Sequence, residues 1–260
     1  MSFSADWLAL REPADRAARD SSLLRQAAAA AGENPVILDL GSGTGATMRA
    51  LSPFLPASAK WRLVDNDQEL LDKAATSSNA STSVHCLNLL DLDHLPTQNV
   101  TLITGSALLD LVSRNWLIEL AKRIKVPAYF ALSYDGEMSW NPVHELDAAV
   151  TKAFNRHQKS DKGFGPALGP DAAKAAEEIF TDAGFEFFSA SSPWQLGESE
   201  QKLQAELVAG IAQASSEAGE SEADSWLAHR LLVATESVCT IGHRDILAMP
   251  KETGTSHAGN

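Results

Sequence analysis

The sequence is poor in cysteine and in positive charge, and it has no long apolar run. Only two cysteines, Cys86 and Cys239, occur in 260 residues. They lie far apart, which argues against a disulfide framework and against a cysteine metal cluster. Lysine and arginine total 21 against 34 acidic residues, for a formal net charge of −13. A surface of that sign repels a nucleic-acid duplex and an anionic membrane leaflet, so neither is expected as a partner. No apolar stretch approaches the roughly 20 residues that span a bilayer. The opening MSFSADWLALREPADRAARD is charged where a secretory signal would be apolar. A soluble, cytoplasmic protein is the expectation, with no metal and no internal repeat.

The 44% hydrophobic content is enough for one substantial core. A single domain over residues 1–250 is expected, with a helical segment at 1–33 and a polar, disordered tail at 251–260. Short apolar runs at 36–40, 60–65, 83–88, 99–105 and 126–133 alternate with helical patterns at 44–51, 67–77 and 113–124. Asp67 and Ser113 stand where the N-caps of the last two helices belong. This alternation is that of an α/β protein, a mostly parallel sheet with helices on both faces. Right-handed crossovers then bring Gly41, Asp65, Asn88, Ser106 and Tyr134 to one sheet edge, where ligands of such sheets bind.

After the fifth run the rhythm changes. Asn141-Pro142 reads as an N-cap and first helical turn, and Val143, Leu146, Val150 and Phe154 recur at helical spacing. The Gly/Pro-rich DKGFGPALGP closes the segment, so residues 134–170 are expected to form a helical lid at the ligand edge. A helix at 171–183, a strand at 185–191, helices at 198–216 and 222–237 and a strand at 238–248 complete the chain.

The stretch VILDLGSGTGATMRAL, residues 36–51, carries the strongest functional signal. Its glycines permit a tight turn and let a ligand touch backbone, and the helix that follows offers its N-terminal dipole. Gly41, Gly43 and Ala46 satisfy the dinucleotide fingerprint, and Asp65 lies 24 residues beyond Gly41 for a ribose. Asp39 argues otherwise. A carboxylate just before the turn is a poor neighbour for a pyrophosphate and a good one for an ammonium.

With VILDLGSGTG, WRLVDND, HCLNLLDLDHLP and VTLITGSALLDLV in this order, residues 34–135 resemble the class I S-adenosylmethionine-dependent methyltransferases. The resemblance implies a Rossmann-like seven-stranded, mostly parallel sheet whose last pair is antiparallel, and S-adenosyl-L-methionine as cofactor. It implies that Asp39 and the backbone of Gly41, Ser42, Gly43 and Gly45 hold the methionine end. Asp65 would take the ribose hydroxyls and Asn66 would flank the adenine. Asn88 stands where the family often has aspartate, so Asn88 with the Leu89 backbone, Asp91, or both would read the adenine edge. Ser106 would lie near the sulfonium, and Arg11 or Arg19 would pair with the methionine carboxylate.

The acceptor side is read from fewer signals. Methyl transfer needs alignment and exclusion of water, and a base only if the acceptor must lose a proton. Tyr134, Asp135 and His144 are the candidate catalytic groups. Lys152, Arg156, Lys159 and Lys162 form the one dense basic run in an acidic chain. A small anionic metabolite is therefore the expected acceptor, with Arg156 and Lys162 as its contacts and Trp140 and Phe164 as aromatic walls. His243 and Asp245 read as structural. The segment SALLDLV stands where amino-methylating nucleic-acid enzymes carry an Asn-Pro-Pro-Tyr motif. A dinucleotide-dependent oxidoreductase, a protein or RNA methyltransferase and a non-catalytic cofactor-binding module remain the alternatives. Oligomeric state is not legible.

Overall fold

The run VILDL, apolar but for Asp39, forms the interior strand β1 (Val36–Leu40), four of whose five residues are buried. In the computed structural model, which describes residues 3–77 and 80–251, β1 pairs in parallel with β2 (Lys60–Asp65) on one side. On the other it pairs in parallel with β4 (Leu102–Ser106). The strand β3 (Ser81–Cys86) extends the sheet beyond β2, and β5 (Ala128–Asn141) extends it beyond β4, both in parallel. The strands β6 (Phe185–Ser191), β7 (Trp194–Leu196) and β8 (Val238–Pro250) complete it, with β8 antiparallel to β5, β6 and β7. The order is β3-β2-β1-β4-β5-β8-β6, with β7 paired to β8 off this path. The chain leaves β1 toward β2 and returns on the far side as β4. Their C-terminal loops diverge there and open a crevice.

Two helical layers cover the sheet. On one face α2 (Ser21–Ala30), α3 (Ala46–Leu51) and α4 (Gln68–Thr76) bury Leu23, Leu24, Met48, Leu51 and Leu71. On the other, α5 (Arg114–Arg123) and α7 (Ala172–Asp182) bury Trp116, Leu120, Ile179 and Phe180. Asp67 caps α4 by accepting from the amides of Glu69 and Leu70, and Ser113 caps α5 through the Trp116 amide. A third cluster packs α6 (Asp147–Gln158), α8 (Gln201–Glu217) and α9 (Ala223–Leu232) against the outer ends of β5 and β8. No helix among the described residues is long and apolar enough to cross a membrane.

Three local expectations change. The N-terminal helical segment is two helices, α1 (Ala5–Ala18) and α2, broken where Asp20 caps the second. The short β7 makes an eighth strand. The segment expected to leave the sheet at residue 134 instead continues as β5 to Asn141, which pairs with Val238. Consequently α6 begins at Asp147, not Pro142, and Val143 is 82% exposed. Pairing with β8 satisfies the backbone of residues 138–141 better than a free helical turn would. The tail expected to be disordered lies, except for Lys251, outside the described residues.

Candidate cofactor and acceptor site

The glycine turn is held from two sides. Gly43 (φ 50°) and Gly45 (φ 83°) both adopt left-handed conformations that favour glycine. A side chain at Gly43 would press on Leu8 of α1 at 3.1 Å, so the N-terminal helix rests on the turn. The Gly43 amide donates to Asp65 Oδ2 at 2.8 Å, and the Asp67 amide donates to Asp65 Oδ1 at 3.1 Å. Burial pushes the Asp65 carboxyl up, and these amide donors oppose that rise.

Above the turn lies a cavity of about 300 Å³. Gly41, Ser42 and Gly43 form its floor, with Asp65 and Asn66 at one end. Asn88 and Leu89 face them from the loop after β3, and Ser106 comes from the end of β4. Asn88 Oδ1 accepts from the Leu90 amide at 2.9 Å, which fixes the orientation of its side chain. The roof is Phe3, Leu8 and Arg11 from the N-terminal segment, with Lys162, Gly163 and Phe164 from the loop after α6. Gly45 is not in the wall. It serves instead as the left-handed N-cap of α3, which aims that helix at the cavity.

Asp39 is fully buried beneath this floor, not exposed to the cavity. Thr104 Oγ1 donates to its Oδ1 at 2.8 Å, while Oδ2 makes no hydrogen bond. Burial drives its pKa up to about 6, opposed by Thr104 and by the positive charge of Arg19. Arg19, at the C-cap of α1, is itself buried and donates to Ser106 Oγ at 2.9 Å. Ser106 in turn bonds Thr47 Oγ1 at 2.9 Å. A carboxylate and a guanidinium thus lie under the crevice, the first bonded to Thr104 and the second to Ser106.

A second cavity, of about 480 Å³, adjoins the first. Phe3, Arg11, Ala107, Leu111 and Lys162 line both. Its far walls are aromatic, with Trp7, Tyr134, Phe154 and Trp194. Arg11 forms a bidentate pair with Asp15, at 2.9 and 3.1 Å, and its guanidinium lies 4.9 Å from the Trp194 ring centre. Lys162 is buried, with Nζ 3.2 Å from His157 Nδ1, and burial lowers its pKa. Tyr134 donates its hydroxyl to Asn155 Oδ1 at 2.8 Å, and burial and neighbouring acids raise its pKa.

Four residues expected at the acceptor side lie elsewhere. Asp135 sits at the irregularity between β5 and β8, where its Oδ1 accepts from the Glu137 amide and its carboxyl packs on Gly242. His144 stacks on His229 with ring centres 4.0 Å apart and borders neither cavity. Trp140 is enclosed in the third cluster, 5.0 Å from the Arg230 guanidinium and edge-on to Trp226. Arg156 is exposed and donates to the Ala218 carbonyl, so only Lys162 of the basic pair faces a cavity. The cause is shared. Extending β5 to Asn141 carries Trp140 and His144 past the crevice, and α6 then turns Arg156 to solvent.

Three wall residues escaped the sequence reading. Phe3 and Leu8 become visible only once α1 is laid over the turn. Asp110, in SALLDLV, was readable as an acid in an apolar run, a pattern that burial makes costly and therefore worth noting. His243, read as structural, lines the second cavity with Nδ1 unpaired, and burial lowers its pKa to about 4. Asp245 is structural, accepting from Leu132 N, Tyr129 Oη and Asp20 N.

No family model matches the chain. Among curated proteins it is similar to a carboxy-S-adenosyl-L-methionine synthase of Helicobacter hepaticus, 30% identical over 104 residues. The match spans 39% of this chain and 38% of that protein. Two crystal structures align over nearly the whole chain. A cyclopropane-fatty-acyl-phospholipid synthase-like protein of Lactobacillus casei has a TM-score of 0.56 and 12% identity, over 96% of this chain and 95% of that one. A candidate methyltransferase of Bacillus halodurans has a TM-score of 0.54 and 13% identity, over 89% and 99%. The fold is that of the class I S-adenosylmethionine-dependent methyltransferases.

Proposed function

We propose that the chain is an S-adenosylmethionine-dependent methyltransferase acting on a small anionic metabolite. One observation carries this reading. A cavity bounded by the glycine turn and Asp65 shares Ala107 and Leu111 with a second cavity, and the cations Arg11 and Lys162 line both. The first has the groups a cationic nucleoside needs. Asp65 would accept both ribose hydroxyls, Asn88 and the Leu89 backbone would read the adenine, and the backbone of residues 41–44 would receive the methionine end. Asp39, beneath the floor, would balance the ammonium by its field. Arg11 and Lys162 would hold the acceptor's anion, and the apolar Leu108, Leu111 and Phe164 would keep water from the sulfonium.

In the reaction the methyl carbon leaves sulfur as its bond to the acceptor forms, and S-adenosylhomocysteine departs neutral. A cytoplasmic setting with no nucleic-acid or membrane partner is part of the proposal. Its support is the net negative charge and the small size of the cavities. The experiment is incubation with methyl-labelled S-adenosylmethionine and a pool of small carboxylic and phosphorylated metabolites. Label in an acidic product, with equimolar S-adenosylhomocysteine, supports the reading. Release of neither product would favour a binding module.

A second reading follows from Arg11 and Lys162 lining both cavities. An anion between them would adjoin the cofactor methyl itself, as suits the carboxylated cofactor in the name of the curated relative. Mass spectrometry of the nucleoside product separates the two, since S-adenosylhomocysteine has lost the methyl carbon and a carboxylated S-adenosylmethionine retains it as a carboxymethyl group.

A further inference from the structure

Asp110 is the carboxyl that the segment after β4 contributes to the wall of the second cavity. Its backbone lies between Ala107 and Leu111, two of the residues that line both cavities, and Asp110 itself lines the second. The residue is about nine-tenths buried, and its Oδ1 makes no hydrogen bond. Its own carbonyl accepts from the Gly169 amide at 3.0 Å, which fixes the backbone that presents it. A buried carboxyl oxygen without a partner costs stability, and a protein tolerates it where a ligand or a reaction uses it.

We propose that Asp110 is the catalytic base of the methyl transfer, taking the proton of an acceptor O–H or N–H held between the two cavities. This rests on the methyltransferase reading above and deepens it. The acceptor would be an acid that also carries a hydroxyl or amine. Its anion lies on Arg11 and Lys162, and its nucleophile faces Asp110. As the new O–C or N–C bond forms, the C–S bond breaks, its electron pair stays on sulfur, and the acceptor's proton passes to the Asp110 carboxylate. Water takes that proton once the product has left.

The surroundings of Asp110 suit the task. From α1 it feels Arg11, itself paired with Asp15. From the loop after α6 it feels Lys162, beside His157, and His157 bonds Glu217 of α8. Tyr134 of β5 and His243 of β8 share the cavity, as does Glu206 of α8. Burial raises the carboxyl to about 6, opposed by the backbone amide of Asp110 itself, by Arg11, by the Tyr134 amide and by Lys162, so it ionises close to neutral pH. An ordinary exposed aspartate would be too weak a base for a hydroxyl or an ammonium-derived amine.

The test needs no acceptor, because the sulfonium is a positive charge that S-adenosylhomocysteine lacks. Calorimetric titrations with S-adenosylmethionine and with S-adenosylhomocysteine, from pH 5 to 7.5, give the ratio of their affinities. A base beside the sulfonium makes that ratio rise with pH in favour of S-adenosylmethionine by roughly tenfold, with proton release on binding that the thioether does not cause. Asp39 and Asp65 respond to features both ligands share, so they cancel in the ratio. In Asp110→Asn, shown folded by its circular dichroism, the ratio should be flat. A flat ratio in the wild-type protein overturns the proposal whatever the variant does, and so does a pH-dependent ratio that survives in Asp110→Asn. Failure of both ligands to bind would instead overturn the cofactor reading on which it rests.

Discussion

Asp65 and Gly43 are joined by a hydrogen bond of 2.8 Å, so the acid at the end of β2 fixes the turn at the end of β1. The same carboxylate therefore has two duties, shaping the floor of the cavity and facing a ribose. Asp65→Ala should weaken S-adenosylhomocysteine binding by the roughly 1.5–3 kcal/mol typical of hydrogen bonds to a charged group. Asp65→Asn keeps an acceptor for the amide and should lose less. Calorimetry on both variants checks the order.

Asp39 should trade stability for binding. Its folded-state pKa of about 6 lies above the ordinary 3.8, so the folded protein holds that proton more tightly than the unfolded chain. The stability this group confers is complete below pH 3.8 and disappears as pH rises to about 6. Above that, the buried charge costs on the order of 3 kcal/mol. Asp39→Asn should accordingly raise the urea midpoint at pH 7.5 and leave it nearly unchanged at pH 4, while weakening S-adenosylhomocysteine. A variant less stable at both pH values would contradict this.

Arg230 should matter for stability and not for binding. Its buried guanidinium bonds Asp147 and the Pro142 carbonyl and lies over Trp140 and Trp226. Arg230→Ala leaves Asp147 without its counterion and two tryptophans without their cation, a loss of about 3–5 kcal/mol. Denaturation should show that loss, and the S-adenosylhomocysteine affinity of the folded fraction should stay at the wild-type value. A parallel loss of affinity would place Trp140 nearer the site than its packing does.

Lys162 and Arg156 should separate cleanly. With an acceptor identified by labelled product, Lys162→Met should raise its Michaelis constant at least about tenfold, the scale of a charge-assisted contact. Arg156→Ala should leave it unchanged, because that side chain reaches only the Ala218 carbonyl at the surface.

The sequence made the cofactor half readable because its signals are local. A glycine turn after an apolar run, an acid at the next strand end and N-caps at Asp67 and Ser113 each depend on neighbours a few residues away. The acceptor half depends on contacts that no period encodes. Trp140 and His144 looked like site residues until the β5–β8 pairing, made across about a hundred residues of chain, carried them past the crevice. Asp110 and His243 come together through the β4–β5–β8 pairing, and Phe3 joins them only because the N-terminal segment lies over the sheet edge. Lys162 and Arg156, six residues apart, differ because one follows the last turn of α6 inward and the other points out of it.

The central claim is that the cavity over Gly41–Gly43 binds S-adenosylmethionine and not a dinucleotide. Equilibrium titration of the wild-type protein with S-adenosylhomocysteine, in the presence and absence of excess NAD, tests it most directly. The account predicts saturable one-to-one binding of S-adenosylhomocysteine that NAD does not displace and that Asp65→Ala weakens. Tight binding of NAD, with no heat from S-adenosylhomocysteine, would contradict it.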